Sequence, residues 1–182
     1  FGYGVKGFII SVIETAVALA GDRISSSEIG QLIALGKELM QHPIQLRPHV
    51  ESTLDTLSQN HSLTLITKGD LFHQEAKIAA SGIAHYFSRI EIVGEKNTDT
   101  YRKLLSRAQI APEHFLMIGN SLRSDILPAL QIGGNGIYIP SGYVWVHDTV
   151  SDEAFGGYSY TELKSMENCV PHIEAWMEQW AQ

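Results

Sequence analysis

The chain has 182 residues, 44% hydrophobic and 18% charged, a balance that excludes a disordered chain and fits one globular domain with a small appendage. Thirteen Lys and Arg against twenty Asp and Glu leave a net charge of −7, which excludes nucleic acid as the main partner, because phosphate backbones are bound through clustered positive charge. Its apolar stretches are too short or too interrupted to span a bilayer, so no membrane is expected, and the single cysteine, Cys169, predicts a reducing, cytoplasmic setting.

The opening Phe1-Gly2-Tyr3-Gly4 has no Met and no basic run leading to a cleavage site, which predicts a chain that begins inside its gene. Ile9, Val12, Ile13, Ala16 and Leu19 then recur at helical spacing up to Gly21. Ser25 and Glu28 form a capping-box signature that opens a second helix, with Ile29, Leu32, Ile33, Leu35 and Leu39 inward. Two helices ahead of any strand predict a helical unit over residues 1–46, where Tyr3 and Lys6 are candidates to cover a site. Pro43 and Pro48 bracket a linker.

Alternation begins there. The pattern predicts a helix over 48–59, a strand over 62–67, and a helix over 71–81 closed by Gly82. A strand over 89–93 follows, then a helix over 99–108 capped by Thr98. A strand over 115–118 leads into a helix over 122–131 closed by Gly133-Gly134, with a last strand over 136–140. Short strands separated by helices imply βαβ units and a parallel sheet, so residues 47–182 are expected to form an α/β core. Residues 141–160 are predicted as a surface loop, and 161–180 as a helix split by Pro171.

In an open parallel sheet, ligands bind beyond the carboxyl ends of the strands. Those ends read Thr67-Lys68-Gly69-Asp70, Gly94-Glu95-Lys96-Asn97 and Gly119-Asn120-Ser121, with Asp125 one turn on. An ammonium and a hydroxyl neutralise and orient a tetrahedral oxyanion, and an oxygen cluster suits Mg²⁺. Each has a plainer reading: Thr67 as a strand former, Lys96 as a solvated charge, Asp125 as a first-turn carboxylate and Asn120 as a cap. Their conjunction on three consecutive strand ends points to a site.

That order resembles the haloacid dehalogenase-like (HAD) hydrolase superfamily. Leu65-Ile66-Thr67-Lys68-Gly69-Asp70 resembles its second motif, Lys96 its third-motif lysine, and Met117 to Ile126 its fourth motif. The resemblance covers roughly residues 47–140 and implies a Rossmann-like core preceded by part of a helical cap. It implies Mg²⁺-dependent hydrolysis of small phosphorylated metabolites through an aspartyl-phosphate. Thr67 and Lys96 would be catalytic, Thr67, Lys68 and Lys96 would bind substrate, and Asn120 with Asp125 would hold the metal.

Two departures from the family pattern stand out. The first motif, Asp-x-Asp at the end of the first strand, occurs nowhere in the 182 residues, and phosphatase members usually have Asp where this chain has Asn120. In the family the first strand lies between those ending here at Thr67 and Ile118, so its removal leaves two unpaired strand edges. Each buried unsatisfied group costs on the order of 1–3 kcal/mol against a whole-domain stability of roughly 5–15 kcal/mol. The expectation is a protein that continues upstream by a strand and the start of the cap, the nucleophile lying ahead of Phe1 and this chain alone being inactive. Asn120 leaves open a metal-independent dehalogenase. Loss of the first motif leaves open a non-catalytic binding protein, with Tyr143, Trp145 and His147 as a contact surface. Oligomeric state is left open.

Overall fold

The computed structural model describes residues 4–142 and 150–180. Tyr143, Trp145 and His147, expected as a contact surface, and Tyr3, expected to cover a site, lie outside the described residues. The chain divides into two compact units, one of Phe1–Gln45 with Gly69–Gly82, the other of Leu46–Lys68 with Ile83–Gln182.

The first unit holds α1 (Val5–Ala20), α2 (Ser26–Gln41) and α4 (Leu71–Ser81). The capping box at α2 forms in full: the Ser25 hydroxyl accepts from the Glu28 amide, and Glu28 accepts from the Ser25 amide at 2.8 Å. Glycine weakens a helix interior, yet α2 buries Gly36 because a Cβ there would come within 2.7 Å of the Ile9 side chain on α1. Asp70 caps α4 by accepting from the His73 amide at 3.0 Å, and Lys6 donates to the same oxygen at 2.9 Å. Gly82, at φ 74°, ends α4 in the left-handed conformation that glycine adopts without steric cost.

The second unit carries α3 (Val50–Ser58), β1 (Thr64–Lys68), β2 (Arg89–Val93), α5 (Thr98–Ala108), β3 (Leu116–Gly119), α6 (Leu127–Gln131), β4 (Asn135–Tyr138), α7 (Asp152–Phe155), β5 (Thr161–Glu162) and α8 (Cys169–Trp180). All strand pairs are parallel, as the alternation of elements requires. They form two sheets among the described residues: β1 with β2, and β3 with β4 and β5. Thr67 sits opposite Ile92 and Lys68 opposite Val93, whereas Gly119 sits opposite Tyr138. One buried cluster joins Ile66 of β1, Tyr101 of α5, Met117 of β3 and Ala129 of α6, and a second gathers Leu57, Ile137, Ile139, Cys169 and Ile173.

Four expectations are corrected. Residues 161–180 are not one helix split at Pro171; Thr161–Glu162 is a strand, and Pro171 lies in the first turn of α8, where its missing N–H has no helical acceptor anyway. The cap of α5 is Asn97, whose Oδ1 accepts from the Thr100 amide at 2.9 Å, so Thr98 is the first helical residue. Residues 141–160 are not wholly loop, since α7 buries Phe155 against Ile126, Leu130 and Tyr138. The helix expected over 122–131 opens as a π-helical turn, Leu122–Ile126, before α6 begins. Pro128 supplies the reason: it has no N–H for the Ser124 carbonyl, and its ring crowds that carbonyl.

Candidate active site

The site lies in the second unit, at the carboxyl ends of β2 and β3. After β2 the chain runs through Gly94-Glu95-Lys96 into α5, and two bonds fix this short loop. The Asn97 side chain caps the Thr100 amide, and the Thr100 hydroxyl donates to the Glu95 carbonyl at 2.8 Å. Lys96, held between them, donates from Nζ to Asp125 Oδ1 at 2.7 Å. The pair is largely withdrawn from water, its side chains 15% and 5% exposed.

Asp125 comes from the π turn after β3. Its other oxygen, Oδ2, accepts from the Ser121 amide at 3.0 Å, and the Ser121 hydroxyl accepts from the Ser124 amide at 3.0 Å. Two side chains thus satisfy backbone donors that a helix start leaves free. Ser121 O accepts from both the Asp125 and Ile126 amides, at 2.9 and 3.2 Å. Gly119 is required at the end of β3 because a Cβ there would lie 2.5 Å from both Cβ and Cγ of Asp125.

A cavity of about 500 Å³ opens beside the pair. Leu65 and Ile66 of β1 and Met117, Ile118 and Gly119 of β3 line it, with Lys96, Asn120 and Asp125 among its polar walls. Arg89 and Glu91 of β2 line it too, and β1 with β2 belongs to a different sheet from β3.

Of the residues expected from sequence, Lys96 and Asp125 are therefore in direct contact, and Asn120 shares their cavity. Asn120 is not the cap of the following turn; Ser121 is, and the Asn120 amide donates to Ser141 Oγ at 3.4 Å. Thr67 is the penultimate residue of β1, next to Ile66; Ile66 lines the cavity and Thr67 does not. Lys68 meets Glu95 at 3.2 Å in an ion pair whose side chains are 27% and 61% exposed. Lys6 is engaged with Asp70 in the first unit. His85 lies against the Tyr86 ring at 3.9 Å, a packing contact.

Sequence reading named Ser121 at its strand end but missed its capping role, and it missed Ser141 and Tyr101 altogether. Ser121 carries a Ser-x-x-Ser-Asp signature that could have been read as a cap. Ser141 follows β4 and no spacing marks it. Tyr101 looks like an ordinary inward position of α5, yet its hydroxyl donates to the Ser124 carbonyl at 3.0 Å.

The site's donors can be tested against Mg²⁺. Asp125 and Asn120 present the hard oxygen atoms this ion prefers, but only one negative charge, and an ammonium already faces it. Among the described residues no group of three or more His, Cys, Asp or Glu could hold a metal by itself. The pair fits one side of a Mg²⁺ site that other oxygens must complete.

Thr67 on β1, Lys96 after β2, the Gly119-Asn120-Ser121 turn after β3 and a parallel α/β core are the pattern of a HAD-type hydrolase. The family described as haloacid dehalogenase-like hydrolase matches residues 5–133, and the chain belongs to it. It is similar to a glyceraldehyde 3-phosphate phosphatase of Methanothermobacter thermautotrophicus, 32% identical over 121 residues, covering 60% of this chain and 53% of that one. A phosphoserine phosphatase of Thermus thermophilus is 27% identical over 115 residues, covering 60% and 45%. The chain thus spans about half the length of the curated relatives it matches. Among solved structures, a haloacid dehalogenase-like family hydrolase from Xanthomonas campestris shares 38% identity at a TM-score of 0.85, over 98% of this chain and 71% of that one. No helix among the described residues is long and apolar enough to cross a membrane.

Proposed function

We propose that this chain forms most of a Mg²⁺-dependent phosphatase of small phosphorylated metabolites, completed by a strand that precedes Phe1. The observation that carries the reading is the Lys96–Asp125 contact of 2.7 Å at two strand ends, beside a cavity where β1 and β3, which do not pair with each other, both contribute lining. An unpaired strand edge is a template for another strand. The apolar flanks of Leu65, Ile66, Met117 and Ile118 suit such a strand better than a phosphate, which needs donors. A strand running parallel to β1 and β3 would end beside Lys96 and bring the family's paired aspartates there. The first unit would serve as part of the cap.

The chemistry follows from these positions. One carboxylate oxygen of the incoming strand attacks phosphorus while the ester P–O bond breaks, giving an aspartyl-phosphate, and the neighbouring carboxylic acid gives its proton to the leaving oxygen. That carboxylate then takes a proton from water, whose oxygen attacks phosphorus as the P–O bond to the first aspartate breaks, releasing inorganic phosphate and restoring the nucleophile's carboxylate. Lys96 offsets charge on the phosphoryl oxygens, Thr67 donates a hydrogen bond to them, and Lys68 adds positive field at the rim. Asn120 and Asp125 would hold Mg²⁺, which would supply further charge neutralisation. The names of the two phosphatase relatives support a phosphate ester as substrate.

A second reading rests on Asn120, which brings an amide where phosphatases bring a charge: a carbon–halogen hydrolase that needs no metal. The test is a panel of phosphorylated metabolites and 2-haloacids, offered to the complete protein with Mg²⁺ and with EDTA. The proposal expects phosphate release that EDTA abolishes and Mg²⁺ restores. Halide release that survives EDTA, or no phosphate release from any ester, overturns it.

A further inference from the structure

We propose that Tyr101 is a positioning residue for the Lys96–Asp125 pair, its hydroxyl holding the turn that presents Asp125 against the helix that starts after Lys96. The role rests on the phosphatase reading for its use but on geometry for its existence. Tyr101 is fully buried, and its hydroxyl donates to the Ser124 carbonyl, the residue before Asp125, at 3.0 Å. That carbonyl is denied the donor an α-helix would offer, because the residue four places on is Pro128. A half-buried acceptor without a partner is costly, and Tyr101 satisfies it from outside the turn.

The backbone of the same residue closes the first turn of α5, which begins two residues after Lys96. The Tyr101 amide donates to the Asn97 carbonyl at 3.0 Å in the first turn of α5, directly after Lys96. One residue therefore fastens the lysine-bearing helix start to the aspartate-bearing turn. Its ring packs with Ile66, Met117 and Ala129, and tilts against Phe115 at 5.9 Å, so both anchors sit on a rigid base. Phenylalanine would fill that space equally well; the hydroxyl adds nothing to packing and would cost free energy here without its acceptor. Burial, with the nearby Asp125 carboxylate adding to it, raises the phenol's pKa, so it remains a donor.

The experiment is Tyr101→Phe, read in two ways. In the complete protein, NMR follows exchange of the Ser121 amide, which donates to Asp125 Oδ2, with the Ile137 amide of β4 as internal reference. The proposal expects Ser121 to exchange about tenfold faster while Ile137 is unchanged, the mark of one local bond lost without global loosening. In the complete enzyme it expects kcat to fall about tenfold with KM little changed, since a misplaced pair weakens transition-state contacts more than binding. Equal acceleration of both amides, or neither, marks Tyr101 as a core residue only and overturns the proposal. If the complete wild-type protein hydrolyses no phosphate ester, the phosphatase reading falls while the amide comparison still decides the role of Tyr101.

Discussion

The two units each contain a lysine–aspartate pair of almost the same length, and the two pairs are not equivalent. Lys6 meets Asp70 at 2.9 Å and Lys96 meets Asp125 at 2.7 Å. Both aspartates also accept a backbone amide at 3.0 Å, from His73 and Ser121 respectively. They differ in oxygen use and in surroundings: Asp70 accepts both donors on Oδ1, and Asp125 accepts one on each oxygen. The first pair is 51% and 44% exposed, the second 15% and 5%. An exposed pair exchanges water for partner at little net gain, whereas a withdrawn pair leaves an uncompensated charge when one member goes. Pairs of similar length thus form part of an exposed helix cap in one unit and a withdrawn ion pair in the other.

Mutation can break this comparison. Lys96→Ala strands Asp125 in a site with little water and should lower stability by about 3 kcal/mol in chemical denaturation; an unchanged midpoint would mean that the pair is no more withdrawn than Lys6–Asp70. Gly119→Ala puts a Cβ into the space of Asp125, and overpacking of that kind costs roughly 1–3 kcal/mol. The same denaturation curve reads it, and wild-type stability would show that the turn can step aside. Lys6→Ala should lower the thermal midpoint at neutral pH only slightly, far less than Lys96→Ala. The Lys6 hydrogen bond, followed by that of the His73 amide, lowers the Asp70 pKa from its usual 3.8. The small stabilisation is therefore present above that value and fades as pH falls through the depressed one, so wild type and Lys6→Ala should converge in acid.

Much of the core was legible because local signals and tertiary packing agree there. The Ser25–Glu28 box and the Gly82 stop mark their helices correctly because each rule depends on a few adjacent residues. Lys96 and Asp125 could be assigned to one rim from strand order alone. What escaped reading depends on partners distant in sequence. The π turn reflects Pro128 and the Tyr101 hydroxyl, 23 residues from the carbonyl it reaches. Strand β5 has only two paired residues and exists through β4, Ile137 opposite Thr161. Asn97 displaces Thr98 as a cap since both are good cap residues and the neighbouring backbone decides between them.

The central claim is that the withdrawn pair serves phosphoryl hydrolysis while the exposed one does not. The most direct measurement is kcat for p-nitrophenyl phosphate in the complete protein, wild type against Lys96→Ala and Lys6→Ala. A loss of about two orders of magnitude or more for Lys96→Ala, with Lys6→Ala close to wild type, is the predicted result. Near-normal turnover by Lys96→Ala would contradict it.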